Sequence, residues 1–309
     1  MGRIKTMSKY GAGSVDPTET DENKGIMSGL NKNQVVMHAP SLDFVKFLPA
    51  AYEAVTNNPD WDWMEQMLFW TTLIIQINII GRGCEVCEFC PKVENVKYPT
   101  DAHEFDQDGY PHWIEVNLHE WKGHKKTGEL YPLKLWRNRM HAYLDPVFLL
   151  THWLAVSGIV SGPIFTNLMS TSNGASTVKV PLVATQEVKV LDSKGSEMSV
   201  SQDASGNIVN MSVDMWSDVL STIFALTRYF KASPHSIRRS AAQWAARCGA
   251  ESYQIQNAGR WNKDSTSWRT YVAAGEQESA RFLDRLDPIR ELWVFHPISF
   301  VSCIDVQLE

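Results

Sequence analysis

The chain has 309 residues, 44% of them hydrophobic and 21% charged, so it can bury a sizeable core and is not a globally disordered polymer. A net charge of −6 argues against a uniformly basic, nucleic-acid-coating protein. The N-terminus lacks a secretory h-region, and the most apolar run, MLFWTTLIIQINII at 67–80, is too short for a membrane span and carries Gln76 and Asn78. Five cysteines, an odd number and partly clustered, fit a reducing compartment rather than secretion.

Residues 1–38 are rich in Gly, Ser, Asp and Lys and read as a flexible tail. From Ser41 a helical pattern begins, with Phe44, Phe47, Leu48, Ala51 and Val55 at three- and four-residue spacing, and Asn58-Pro59 breaks it. A second helix is predicted from Trp61 to Ile80, ending at Gly81. Residues 92–135 read as a small sheet. HWIEVNLHEW and ELYPLKLW alternate apolar and polar positions, with Gly123 and Gly128 between them, which predicts a β-hairpin with a lysine-rich turn. Asp145-Pro146 opens a further helix and Gly158 closes it. Residues 171–212 are rich in Ser, Gly and Val and are expected to form short strands on a surface insertion. Helices resume over Val213–Tyr229 and after Pro234. The fold class is therefore α+β: mainly helical, with a small antiparallel sheet.

Charge is segregated along the chain. Between His119 and Arg139, six Lys or Arg face two Glu, and residues 231–290 hold ten Lys or Arg against six acids. The acidic excess sits in 16–22 and 85–108. Two basic blocks on an acidic chain suit a localised phosphate site. The second block contains SPHSIRRSAAQWAARCGA, in which Ile237, Ala241, Trp244, Ala245 and Cys248 form an apolar helical stripe and Gly249 takes the C′ position. His235 then stands at the helix start and Arg238 in its first turn, where free N–H groups and the positive dipole end can meet a phosphate. Arg239 competes with Arg238, and the three-residue offset from His235 favours Arg238. Gly259-Arg260-Trp261 and Tyr271 follow.

The order His235-x-x-Arg238, Gly259-x-Trp261, Tyr271 resembles the C-terminal block of the tyrosine recombinases, the phage-type integrases. That family also carries an earlier arginine in a Gly-x-Arg-x-x-Glu motif; IIGRGCEVCEF offers Gly81, Arg82 and Glu85, with the arginine directly after the glycine. Its hairpin lysine is matched by Lys122, with Lys125 and Lys126 close by. The resemblance spans about residues 40–285, and the aromatic-rich style is similar to mobile-element recombinases of the crypton type.

The resemblance implies a tyrosine recombinase catalytic domain over 39–290, site-specific DNA recombination and integration without metal, ATP or other cofactor, and a homo-tetramer on double-stranded DNA in nucleus or cytoplasm. Tyr271 would be the nucleophile that forms a 3′-phosphotyrosyl intermediate. Arg82 and Arg238 would clamp the phosphate, His235 would assist the proton transfers, Lys122 would act as general acid, Trp261 would hold the phosphate, and Glu85 would support Arg82. The family's separate N-terminal DNA-clamp domain is expected to be reduced, missing or on another chain, and residues 291–309 to be a docking segment. Other readings stay open: Lys125 or Lys126 for Lys122, Tyr253 for Tyr271, zinc held by Cys84, Cys87, Cys90 and His103 or His112, a non-catalytic DNA-binding or assembly protein derived from the enzyme, or a type IB topoisomerase-like activity.

Overall fold

A computed structural model describes residues 39–88, 90–118, 130–173, 176–191, 197–262 and 268–269; the side chains of 172–178 and 191–199 are left aside. All of them belong to one compact unit that begins at Ala39. Helix α1 spans Phe44–Thr56 and buries the five residues whose spacing predicts it. Helix α2, Trp63–Asn78, starts two residues later than expected because Asp62 caps it: the Asp62 carboxylate accepts from Glu65 N at 2.9 Å and Glu65 returns a bond to Asp62 N at 3.0 Å. Nearly every residue of α2 is buried, which explains its unbroken apolar sequence. Two of its polar members bond within the core: Gln76 accepts from the Trp216 indole at 2.7 Å and Asn78 donates to Ile74 O at 2.8 Å. None of the described helices is long and apolar enough to cross a membrane.

Helices α3 (Gly83–Val86), α4 (Pro146–Ser157) and α6 (Pro234–Arg247) pack on α2, while α5 (Val213–Leu226) packs on α1, α3 and α6, and α7 (Ser252–Ala258) on α6. Asp145 caps α4 and Gly158 ends it at φ +66°, as the Asp-Pro and Gly signals predict. Helix α5 stops three residues short of Tyr229, at a left-handed turn through Arg228. Gly249 occupies the left-handed C′ position of α6.

The predicted sheet is antiparallel and three-stranded in the order β1 (Val96–Lys97), β2 (Trp113–Leu118), β3 (Tyr131–Trp136). Pairing of Ile114 with Leu135 and Val116 with Leu133 turns the apolar alternation toward the core. The Ser/Gly/Val-rich interval forms two separate hairpins, β4–β5 (Leu168–Asn173, Ser176–Pro181) and β6–β7 (Gln186–Leu191, Glu197–Gln202). It is not wholly peripheral, because Val200, Val209 and Met211 are buried and Lys179 pairs with Glu65 at the start of α2.

Candidate active site

The site grows from two helix ends. In α2, Gly81 N donates to Gln76 O at 2.8 Å and Ile80 N to Ile77 O at 3.0 Å; in α7, Trp261 N donates to Gln256 O at 3.0 Å and Arg260 N to Asn257 O at 2.8 Å. Both are Schellman closures, which normally place glycine at the left-handed position. Here that position holds Ile80 (φ +46°) and Arg260 (φ +52°), each at a steric cost of about 1–2 kcal/mol. The last carbonyls of both helices have no intrahelical partner and carry the negative ends of the helix dipoles.

Two buried arginines bridge these ends. Arg238, from the first turn of α6, donates from Nη1 to Ile80 O at 2.7 Å and from Nη2 to Gly259 O. Arg260 donates from Nη1 to Ile79 O at 3.1 Å and to Ala258 O at 2.6 Å. Between them lies Glu85, fully buried in the short helix α3. Its carboxylate accepts from Arg260 Nη2 at 2.5 Å, from Arg82 Nη1 at 2.8 Å and from Arg82 N at 2.8 Å, and stands 3.5 Å from Arg238 Nη1. Burial alone would raise the Glu85 pKa; the guanidiniums of Arg260, Arg238 and Arg82 outweigh it and hold the carboxyl at about 2.

Trp261 covers this arrangement, with its ring centroid 4.1 Å from the Arg238 guanidinium carbon. The fold-back depends on Gly259, where a Cβ would lie 1.7 Å from Trp261 Cζ3. Arg238 is 1% exposed, whereas the Arg82 side chain keeps 24% of its surface open. His235 is exposed on the first turn of α6, beside the Ser233 N to Ser236 Oγ bond of 3.1 Å that closes the helix start. Arg239 turns away and donates to Ala39 O at 2.9 Å, so Arg238 is the member of the pair that joins Arg82 and Glu85.

The structure thus brings together Arg82, Glu85, Arg238 and Trp261, with His235 on the helix that supplies Arg238. Lys122, its neighbours Lys125 and Lys126, and Tyr271 lie outside the described residues. The strands that flank 119–129 are placed: Leu118 pairs with Tyr131, and Tyr131 Oη donates to Asn257 O at 2.8 Å in the α7 closure. The hairpin base therefore sits against the turn that holds Arg260. Tyr253 is 56% exposed on α7. Arg260 is the member of the site that sequence reasoning passed over; an arginine at the C′ position, between Gly259 and Trp261, was its signal.

The cysteine cluster is part of the packing. Burial pushes the Cys90 thiol up to about 12 and Cys87 well above its ordinary value. Cys90 Sγ donates to Pro91 O at 3.4 Å and accepts from Phe165 N at 3.2 Å. Among the described residues, no group of three or more His, Cys, Asp or Glu is placed to hold a metal ion.

Solved structures carry a similar fold. A XerH site-specific recombinase bound to a palindromic difH substrate, in a post-cleavage complex, matches at TM-score 0.50 and 13% identity, over 82% of this chain and 56% of that one. The fold is that of the tyrosine recombinases. A Flpe–Holliday junction complex matches at TM-score 0.44 and 11% identity, over 95% of this chain and 64% of that one. The chain thus spans just over half the length of the matched XerH recombinase. No protein-family model and no curated protein sequence matches.

Proposed function

We propose that the chain is a site-specific DNA strand transferase that works through a phosphotyrosyl intermediate. The observation that carries this reading is the convergence of Arg82 and Arg238 on one buried carboxylate, with Trp261 stacked on Arg238 and His235 at the start of the same helix. Three guanidiniums around a single carboxylate suit a place where a phosphodiester adds negative charge. In this reading Tyr271 Oη attacks the phosphorus of double-stranded DNA and the 5′-oxygen departs. Lys122 gives the leaving oxygen its proton, and His235 assists removal of the tyrosine proton. The 5′-hydroxyl of a partner strand then attacks the phosphotyrosine and restores the phosphodiester, so the bond energy is conserved. A homo-tetramer on DNA would supply that partner strand, and a catalytic domain over 39–290 would hold the whole residue set.

One observation favours a second reading. Two N–H groups of Arg238 already donate to carbonyls and the residue is sealed from solvent, which suits an internal tether in a DNA-binding protein derived from such an enzyme. A preferred duplex selected from a random-sequence pool, then synthesised with a nick that lets the cleaved end diffuse away, separates the two. An adduct that survives denaturing electrophoresis with wild type and vanishes in Tyr271→Phe is expected. Binding without an adduct in wild type favours the second reading. Relaxation of supercoiled plasmid lacking the selected site points instead to a topoisomerase-like activity.

A further inference from the structure

The geometry points to Arg260 as a positioning residue that acts through Glu85 to keep Arg238 available for the DNA phosphate; the inference rests on the strand-transferase reading. Like Arg238, Arg260 is buried; its hydrogen bonds go to protein partners, Ile79 O, Ala258 O and Glu85 Oε2. Yet it occupies a left-handed position that glycine would take without strain, so the side chain is kept against the backbone preference. Among the described residues its Nε has no hydrogen-bond partner, a cost that helix closure alone does not require.

Each bond that Arg260 makes lies beside a bond made by the proposed catalytic arginines. It donates to Ile79 O and Ala258 O, the carbonyls immediately preceding those that hold Arg238. It also takes Glu85 Oε2 at 2.5 Å, and Arg238 stays 3.5 Å from that same oxygen. The nearer cation draws most of the carboxylate's charge, since Coulomb attraction falls with distance. Arg260 thereby prevents Arg238 from closing into a tight pair with Glu85, which would cancel the charge that a scissile phosphate needs. Meanwhile Glu85 Oε1 remains free to orient Arg82.

The test uses the full chain with Arg260→Gly and Arg260→Lys. Glycine removes the side chain and relieves the left-handed backbone, so folding is expected to survive; lysine keeps the charge without the fork. On the selected nicked duplex, R260G is expected to form adduct about 100-fold more slowly than wild type in single turnover, with R260K between them. Duplex affinity should stay within about 3-fold. A crystal structure of R260G should show Arg238 closed onto Glu85. Cleavage by R260G at the wild-type rate, affinity falling in step with cleavage, Arg238 unmoved, or failure of R260G to fold would each overturn the proposal. No adduct from wild type would instead overturn the strand-transferase reading itself, and this inference with it.

Discussion

Two ion clusters among the described residues have opposite composition. One is acid-rich: Arg137 lies between Asp145 and Asp106, at 2.6 Å from Asp106 Oδ2, with its guanidinium 4.9 Å from the Tyr110 ring centre. Both carboxylates are consumed locally. Asp145 Oδ1 accepts from Val147 N and Phe148 N at 2.9 Å, and Asp106 Oδ1 accepts from Tyr110 N at 2.8 Å and Asp108 N at 3.0 Å. This cluster stitches a loop to a helix start and completes its own valences. The cluster at Glu85 has the reverse stoichiometry, three guanidiniums on one carboxylate, with an unpartnered Arg260 Nε and a partly open Arg82. Among the described residues, two helix C-termini add partial negative charge beside that single carboxylate.

Acid titration should separate the two clusters most sharply. Glu85 has its folded pKa depressed from 4.5 to about 2. Its contribution to stability is fully present above the unfolded value and is lost as pH falls through the folded one. A shift of this size corresponds to about 3 kcal/mol. Glu85→Gln leaves two buried cations and the partly open Arg82 around a neutral amide and should cost about 3–5 kcal/mol at pH 7. The gap to wild type should then shrink as pH falls from 4.5 towards 2. Asp145 is opposite in sign: burial raises its pKa despite the Phe148 N–H and Arg137, so protonation relieves the folded state. Wild type should therefore gain stability relative to Asp145→Asn as pH falls, the reverse of the Glu85 pair. Urea unfolding at stepped pH reads both, and parallel behaviour of the two variants would erase the distinction.

Much of the scaffold was legible because it rests on local signals. The apolar stripe of α1, Asp145-Pro146, Gly158 and Gly249 each encode a feature within a few residues, and the structure places each where expected. The start of α2 was missed by two residues because Trp61 looks like part of the apolar face, whereas the Asp62–Glu65 capping box decides the boundary. At the candidate site, an ordered motif singles out Arg82, Glu85 and Arg238, yet nothing in it says how they meet. Arg238 is held by carbonyls of Ile80 and Gly259, from segments far apart in sequence, and backbone acceptors leave no trace in residue identity. Arg260 escaped for the same reason. A C′ arginine beside a tryptophan reads as surface charge until its backbone is known to be left-handed.

Gly259→Ala probes the cation-rich cluster without altering any charge. The added methyl meets the Trp261 ring at 1.7 Å from Cζ3, far inside van der Waals contact, so the indole must leave the Arg238 guanidinium. Loss of the stacked face together with the local overpacking should cost about 1–3 kcal/mol. The effect should be absent when the same substitution is made at Gly206, where a Cβ meets nothing within 4 Å, apart from the strain of its φ of +82°. Thermal melts against wild type read the effect, and a Gly259→Ala protein as stable as wild type would mean that Trp261 packs elsewhere.

The smallest effect is expected at the hairpin base. Tyr131 Oη donates to Asn257 O, and burial raises its pKa more than the nearby Arg260 lowers it, so the hydroxyl keeps its proton at neutral pH. Tyr131→Phe deletes the hydrogen bond to Asn257 O, which keeps its bond from Arg260 N, and should cost about 1 kcal/mol. Because β2 and β3 stay paired over six positions, the sheet itself should not respond. Amide exchange should quicken at Leu118 and Tyr131, at the end of the ladder that leads into 119–129, and remain unchanged at Val116 and Leu133 near its centre. Faster exchange along the whole ladder would show that this bond holds the sheet, and unchanged exchange at its end would show that the tether to α7 does not fix the segment leading to Lys122.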